Sequence, residues 1–219
     1  EGIYVSGSSY YNITNNNMSN IAFGIIFNQG YGIIYGNRII NSTSPLGGIA
    51  HLTGGFMQNI SIINNYVIAS VNSHPILIAG GTKNITIINN TLIGGGKGIS
   101  TTGAIPAASF FTIANNTILN FTQTGIVLPV NSTSYNDVLN SSVSGANGFD
   151  PALNSFVFNA VVDVANYSVV STSSVNNVTF DNVTSNVNNG LLISSSNVSL
   201  INFTFRAREF EIMEFEYFI

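Results

Sequence analysis

The chain has 219 residues, of which only 5 are Lys or Arg and 9 are Asp or Glu, so charged side chains make up 6% of it. Soluble proteins usually carry about a quarter; here polarity comes instead from 33 Asn, 26 Ser and 17 Thr. Five cations cannot neutralise a run of phosphates, which excludes a nucleic-acid binder. Apolar stretches such as residues 21–27 fall far short of the ~18–20 residues a membrane span needs. The absence of cysteine excludes a disulfide framework and a thiolate metal site. With 45% hydrophobic residues the chain is not disordered, and its length suits one core rather than two.

In chain order, the sequence opens at Glu1 without an initiator Met or a charged leader, and reads as a processed form or a fragment. A repeat is already present in the first twenty residues. It becomes plain in GIIYGNRIINST (32–43), NISIINNYVIAS (59–70), NITIINNTLIGG (84–95) and FFTIANNTILNF (110–121). The matched asparagines are Asn37, Asn65, Asn90 and Asn116, with weaker copies at Asn182 and Asn202. Between them recurs a glycine followed by an aliphatic residue: Gly2-Ile3, Gly24-Ile25, Gly48-Ile49, Gly98-Ile99, Gly125-Ile126 and Gly190-Leu191.

Within each unit the local period is two, β-branched residues dominate, and runs end at Asn or Gly, which tolerate left-handed backbone angles. Nothing between them has a helical period. Short strands recurring every ~20–28 residues without helices specify a solenoid of β-coils. The expectation is an all-β, single-stranded parallel β-helix of about nine coils over residues 1–205, with inward aliphatics stacked coil on coil. Asparagines at the turns would form side-chain amide ladders.

These marks resemble the right-handed parallel β-helix repeats of the pectin-lyase-like superfamily, including its carbohydrate-binding, sugar-hydrolase and NosD-like members. The likeness is strong over residues 1–128 and weaker over 176–205. Residues 129–175 lose the Asn-Asn and Gly-Ile marks and are expected to form irregular coils or a protruding loop. Residues 206–219, RAREFEIMEFEYFI, concentrate charge and alternate it with aromatics. They read as a C-terminal cap or an assembly strand, since an open solenoid end leaves apolar core and strand edges uncovered.

Fifteen Asn-x-Ser/Thr triplets begin at Asn12, Asn17, Asn41, Asn59, Asn84, Asn89, Asn115, Asn120, Asn131, Asn140, Asn166, Asn177, Asn182, Asn197 and Asn202. Each is a candidate N-glycosylation site in a secreted chain. A strand reading Asn-aliphatic-Thr also makes such triplets as a by-product of alternation. That explanation covers Asn59, Asn84, Asn177 and Asn197 but extends less easily to Asn41, Asn131 and Asn140.

Acids and bases are few. Asp163 and Asp181 lie 18 residues apart, near one coil length, so they could stack as a paired-carboxylate site with one raised pKa; as exposed turn residues they would do nothing of the kind. Lys83, Lys97 and Arg38 lie on coils without acids. His51 and His74 are not in register, since aligning Ile49 with Ile76 sets His51 opposite Ile78, and both read as turn or surface histidines rather than ligands. No metal or other cofactor is implied, and GGGKG at 94–98 reads as a turn. Tyr10, Tyr11, Tyr31, Tyr35 and Tyr66 cluster in the first coils, where exposed rings could stack on sugar faces or instead fill the core.

The sequence-level expectation is a non-enzymatic extracellular surface glycoprotein, adhesin or virion-spike component. Its partners would be glycans or cell-surface polysaccharide, and further subunits through the C-terminal strand, with a trimer suggested by analogy to tailspikes. The alternative is a polysaccharide lyase or glycoside hydrolase on the same fold. Few carboxylates also mean that surface charge changes little as pH falls, which suits an acidic setting.

Overall fold

A computed structural model describes residues 2–7, 10–28, 30–52, 57–102, 109–171, 176–193 and 196–207. The first coil contributes three short strands: β1 (Ile3–Val5), β2 (Tyr10–Thr14) and β3 (Asn17–Ile21). Each pairs in parallel with the strand one coil further on, and so on through the described residues, giving three parallel sheets of nine strands each among them. We call them sheets A, B and C after β1, β2 and β3. Each sheet thus has eight interstrand steps, and no helix occurs among the described residues. This is the three-sheet parallel solenoid that the repeat predicts. Residues 129–175 supply regular strands to all three sheets, such as Thr133–Tyr135, Val138–Ser141 and Asn147–Pro151. Residues 208–219, most of the expected cap, lie outside the described residues.

The Gly-Ile mark is the seam of the core. Ile3, Ile25, Ile49, Ile76, Ile99, Ile126, Phe149, Val169 and Leu191 are register partners along sheet A. Most of this row is fully buried. The glycine ahead of it is needed because neighbouring coils touch there: a Cβ on Gly98 would stand 2.3 Å from Ile118 Cγ2 and 2.6 Å from the Gly125 carbonyl oxygen. In sheet B the inward row runs Ile13, Ile34, Ile62, Ile87, Ile113, Ser134, Val157 and Phe180. One hydroxyl interrupts it.

The corner between sheets B and C is made of two residues. The first has positive φ: Asn15, Gly36, Asn64, Asn89, Asn115, Asn136, Asn159, Asn182 and Asn202. The second points inward, and from Asn16 through Asn37, Asn65, Asn90 and Asn116 it forms the amide ladder. Each of these Oδ1 atoms after the first accepts both the backbone N–H and the Nδ2 of the preceding coil's asparagine, at 2.9–3.0 Å. Each buried Nδ2 also donates to a carbonyl of the previous coil, as Asn90 does to Ile62 at 2.9 Å. The matches at Asn182 and Asn202 are therefore one residue out of frame. Those asparagines occupy the outer, positive-φ position, and the inward positions beside them hold Val183 and Phe203.

The ladder ends on a carboxyl group. Asn116 donates its backbone N–H and its Nδ2 to Asp137 Oδ1 at 2.7 and 2.9 Å, and Ser134 Oγ donates to Oδ2 at 2.6 Å. The hydroxyl that breaks the sheet B aliphatic row is thus the partner of the acid that replaces the ladder asparagine. Burial raises the Asp137 carboxyl pKa to about 6, against the lowering effect of these donors. Beyond it the inward corner positions are Ala160, Val183 and Phe203, all packed in the core.

Candidate functional site

The outer face of sheet B carries the densest set of groups able to contact a ligand. Alternation along β2 sends Tyr11 and Ile13 inward and leaves Tyr10, Asn12 and Thr14 outside. In the next coil, Gly30–Tyr35, Tyr31, Ile33 and Tyr35 face outward in register with them. Tyr10 and Tyr31 meet edge to face, with centroids 5.6 Å apart. Outward hydroxyls continue the face as Ser61, Thr86, Thr112 and Thr133, followed by the exposed ring of Phe156. A parallel outward row holds Tyr135 and Phe158, stacked at 5.2 Å. Along the leading edge of the sheet runs a second line of positive-φ residues, Asn59, Asn84, Phe110, Asn131, Asn154, Asn177 and Asn197. Side-chain bonds link Asn84 to Asn59, Asn154 to Asn131 and Asn177 to Asn154. Two grooves of about 460 and 490 Å³ lie against this line, the first lined by Asn59, Asn84, Thr86 and Phe110, the second by Asn154, Phe156, Asn177 and Asn197.

The tyrosines separate into three environments. Tyr10, Tyr31 and Tyr35 share the outer face of sheet B. Tyr11 does not: it is buried against Phe27, 5.7 Å between centroids, and burial raises its phenol pKa. Tyr66 lies on sheet C, with the Arg38 guanidinium 5.8 Å above its ring. A period of two separates Tyr10 from Tyr11, and the sheet assignment separates Tyr66. Phe110, Phe156, Tyr135 and Phe158 were not singled out from the sequence, although FFTI at 110–113 sets Phe110 at the asparagine position of NITI.

The carboxylate pair does not form. Asp163 lies on sheet C, in register with Asn140 and Asn186, whereas Asp181 lies on sheet B, in register with Phe158 and Ile201. Eighteen residues is shorter than the local coil of 23, the step from Asp163 to Asn186, so the two acids fall on different faces. His51 is no surface histidine. It occupies the inward row between Phe27 and Ile78, fully buried, with its ring 5.8 Å from that of Phe27 and Nδ1 3.4 Å from the Ala79 carbonyl. Burial holds its pKa below the usual imidazole range. His74 sits at a turn, half-buried, and accepts the Lys97 amide N–H at 3.2 Å on Nδ1. Lys97 begins the sheet A strand Lys97–Thr102, and Asp150 lies two coils on in the same sheet. Burial raises the Asp150 pKa and the Lys97 charge opposes that rise.

Eleven of the triplet asparagines are corner residues with positive φ: Asn41, Asn59, Asn84, Asn89, Asn115, Asn120, Asn131, Asn177, Asn182, Asn197 and Asn202. In each the next residue turns inward and the Ser or Thr after it faces outward. The corner therefore generates the triplet by itself, at Asn41 and Asn131 as well. Asn12, Asn17 and Asn140 stand exposed on strands, and Asn166 donates to Asn147 at 2.8 Å in a turn.

Comparison with known proteins bears on the fold. The family described as right handed beta helix region matches residues 1–156. The chain belongs to that family. The β-helix also resembles the solved structure of a double mutant of the periplasmic alginate epimerase AlgG, at 12% identity and a TM-score of 0.47. That alignment covers 89% of this chain and 50% of the epimerase, so the β-helix described here spans half the length of that neighbour.

Proposed function

We propose that this β-helix is a non-enzymatic recognition rod of a secreted or surface-exposed protein, and that the outer face of sheet B binds glycans. The observation that carries the reading is the convergence of Tyr10, Tyr31 and Tyr35 on one face, where the row from Asn12 and Ile33 continues as the hydroxyls of Ser61, Thr86, Thr112 and Thr133. Aromatic rings supply flat apolar area, and neutral polar groups satisfy sugar hydroxyls without the desolvation cost of charges. Among the described residues the acids are scattered: Asp137 inside the ladder, Asp150 on sheet A, Asp163 on sheet C and Asp181 on sheet B. The test is retardation of the purified chain in gels containing soluble polysaccharides. Tyr10→Ala and Tyr31→Ala should weaken it, with no new reducing ends or unsaturated sugars released; release of products would overturn the reading. Glycans on exposed asparagines away from this face, such as Asn17 and Asn41 on sheet C, belong to the same proposal. They predict an intact mass from the native source well above the 23.2 kDa of the peptide.

The second reading, a polysaccharide-modifying enzyme, draws support from Lys97 and Asp150 on one sheet, where burial raises the acid's pKa against the opposing Lys97 charge. If that reading holds, Asp150→Asn abolishes turnover and Asp163→Asn does not.

A further inference from the structure

Among the described residues, eighteen non-glycine residues have positive φ, and seventeen of them are asparagine; the other is Phe110, at φ +59. Asparagine reaches this backbone region at modest cost, whereas a bulky aromatic there is an outlier. Phe110 is not held there by core packing, since its side chain is 51% exposed. It also interrupts a line of hydrogen-bonding amides, with Asn84 on the coil before it and Asn131 on the coil after. A residue that is strained, exposed and breaks a ladder contributes little to stability by being phenylalanine. Strained residues of this kind cluster where a ligand is held.

What surrounds it gives the ligand's chemistry. Phe110 lines the groove of about 460 Å³ together with Asn59, Ser61, Asn84, Thr86, Thr112 and the buried Ile60 and Ile85. The lining offers amides, hydroxyls and one aromatic ring, and no charge; Lys83 stands beside it on the same strand, exposed. Successive coils repeat every ~4.8 Å, close to the length of one hexose in an extended chain. A polymer lying along the rod would therefore present an equivalent sugar to each coil's amide and hydroxyl.

We propose that Phe110 is the stacking platform of a subsite for a neutral, extended β-linked polysaccharide, seated on the outer face of sheet B across the Asn59 and Asn84 coils. This rests on the glycan-binding reading above and adds the place, the contact residue and the charge class of the ligand. Phe110→Asn completes the amide line from Asn84 to Asn131 and removes the platform, so stability and binding move in opposite directions.

The experiment uses the whole chain in affinity electrophoresis with soluble mixed-linkage β-glucan as the neutral probe and polygalacturonate as the acidic one. Denaturant unfolding is measured on the same samples. The expected result is retardation of the wild type by β-glucan, at least about tenfold weaker in Phe110→Asn and retained in Phe110→Trp. The unfolding midpoint of Phe110→Asn should rise. Unchanged β-glucan affinity in Phe110→Asn, with loss in Tyr10→Ala or Tyr31→Ala, overturns the subsite and leaves the glycan-binding face standing. Binding to polygalacturonate alone, lost in Lys83→Gln or with added salt, overturns the neutral class. Retardation by neither polymer overturns both this inference and the reading on which it rests.

Discussion

The first six coils and the last three solve the same corner in different ways. Through Asn116 the inward corner position is a buried amide that both donates and accepts between coils, and Asp137 closes that chain. From Ala160 onward the position is apolar and the corner is held by packing and backbone bonds such as the Thr184 N–H to the Ala160 carbonyl, 2.9 Å. The ladder specifies register, because a slip by one residue would strand several buried donors and acceptors at once. An apolar corner carries no such penalty. It tolerates size changes, as Ala, Val and Phe in successive coils demonstrate.

The comparison can be broken most forcefully at the centre of the ladder. Asn90→Leu leaves the buried Asn65 backbone N–H without its acceptor, takes one of three acceptors from Asn65 Nδ2, and removes the side-chain donor to the Ile62 and Ile88 carbonyls. With ~1–3 kcal/mol for a buried group left unsatisfied and a further loss from the weakened bonds around it, a loss on the order of 3 kcal/mol is expected in urea unfolding. Val183→Ala at the equivalent apolar position should cost less, about 1–2 kcal/mol. Equal losses at the two sites would remove the distinction between the regions.

Asp137 marks the boundary and makes it sensitive to pH. Its carboxyl pKa is about 6 in the fold against 3.8 in the unfolded chain, so the folded state binds the proton more tightly. This contribution is fully present below about pH 4 and is lost as pH rises through about 6. It is worth about 3 kcal/mol. His51 acts in the opposite sense: its pKa is lowered by burial, so its contribution is present at neutral pH and lost on acidification below the ordinary imidazole range. Asp137→Asn should stabilise the rod at pH 7 by about 1–3 kcal/mol. It should also expose the His51 limb, so that stability falls on acidification below about pH 6.5. Thermal unfolding of both proteins between pH 4 and 8 measures this, and curves of the same shape for wild type and Asp137→Asn would contradict the Asp137 assignment.

A smaller effect is expected at the outer line of asparagines. Relief of the positive-φ strain in Phe110→Asn should add about 1 kcal/mol, read as a rise in the urea midpoint. Asn131→Ala loses the exposed bond from Asn154 and places alanine at φ +53, so it should cost about 1 kcal/mol in the opposite direction.

Much of this architecture is legible in local sequence. The period of two, the Gly-Ile seam and the Asn-x-Ser/Thr grammar each follow from what a single corner and strand demand of their residues. His51 opposite Ile78 follows from simple alignment of coils. The misplacements of Asn182, Asn202 and Tyr11 share one origin. At the B-to-C corner the two residues differ by a single position, and one faces solvent while the other faces the core. Asn182 and Asn202 look like Asn90 in sequence, yet they occupy the outer place that Asn89 holds. Tyr11 differs from Tyr10 in the same way.

Residue chemistry and period thus determine that the chain winds into stacked β-coils, since alternation, β-branching and left-handed-tolerant corners are properties of a few consecutive residues. Only the tertiary winding decides which side chains meet. The coil length varies between neighbours, so residues one nominal period apart can land on different sheets, as Asp163 and Asp181 do. The same winding brings tyrosines 21 residues apart into contact, seats Ser134 against Asp137 and holds Phe110 out over a groove built from two preceding coils. These are contacts between coils, and their register is fixed by the summed lengths of the turns rather than by any one motif.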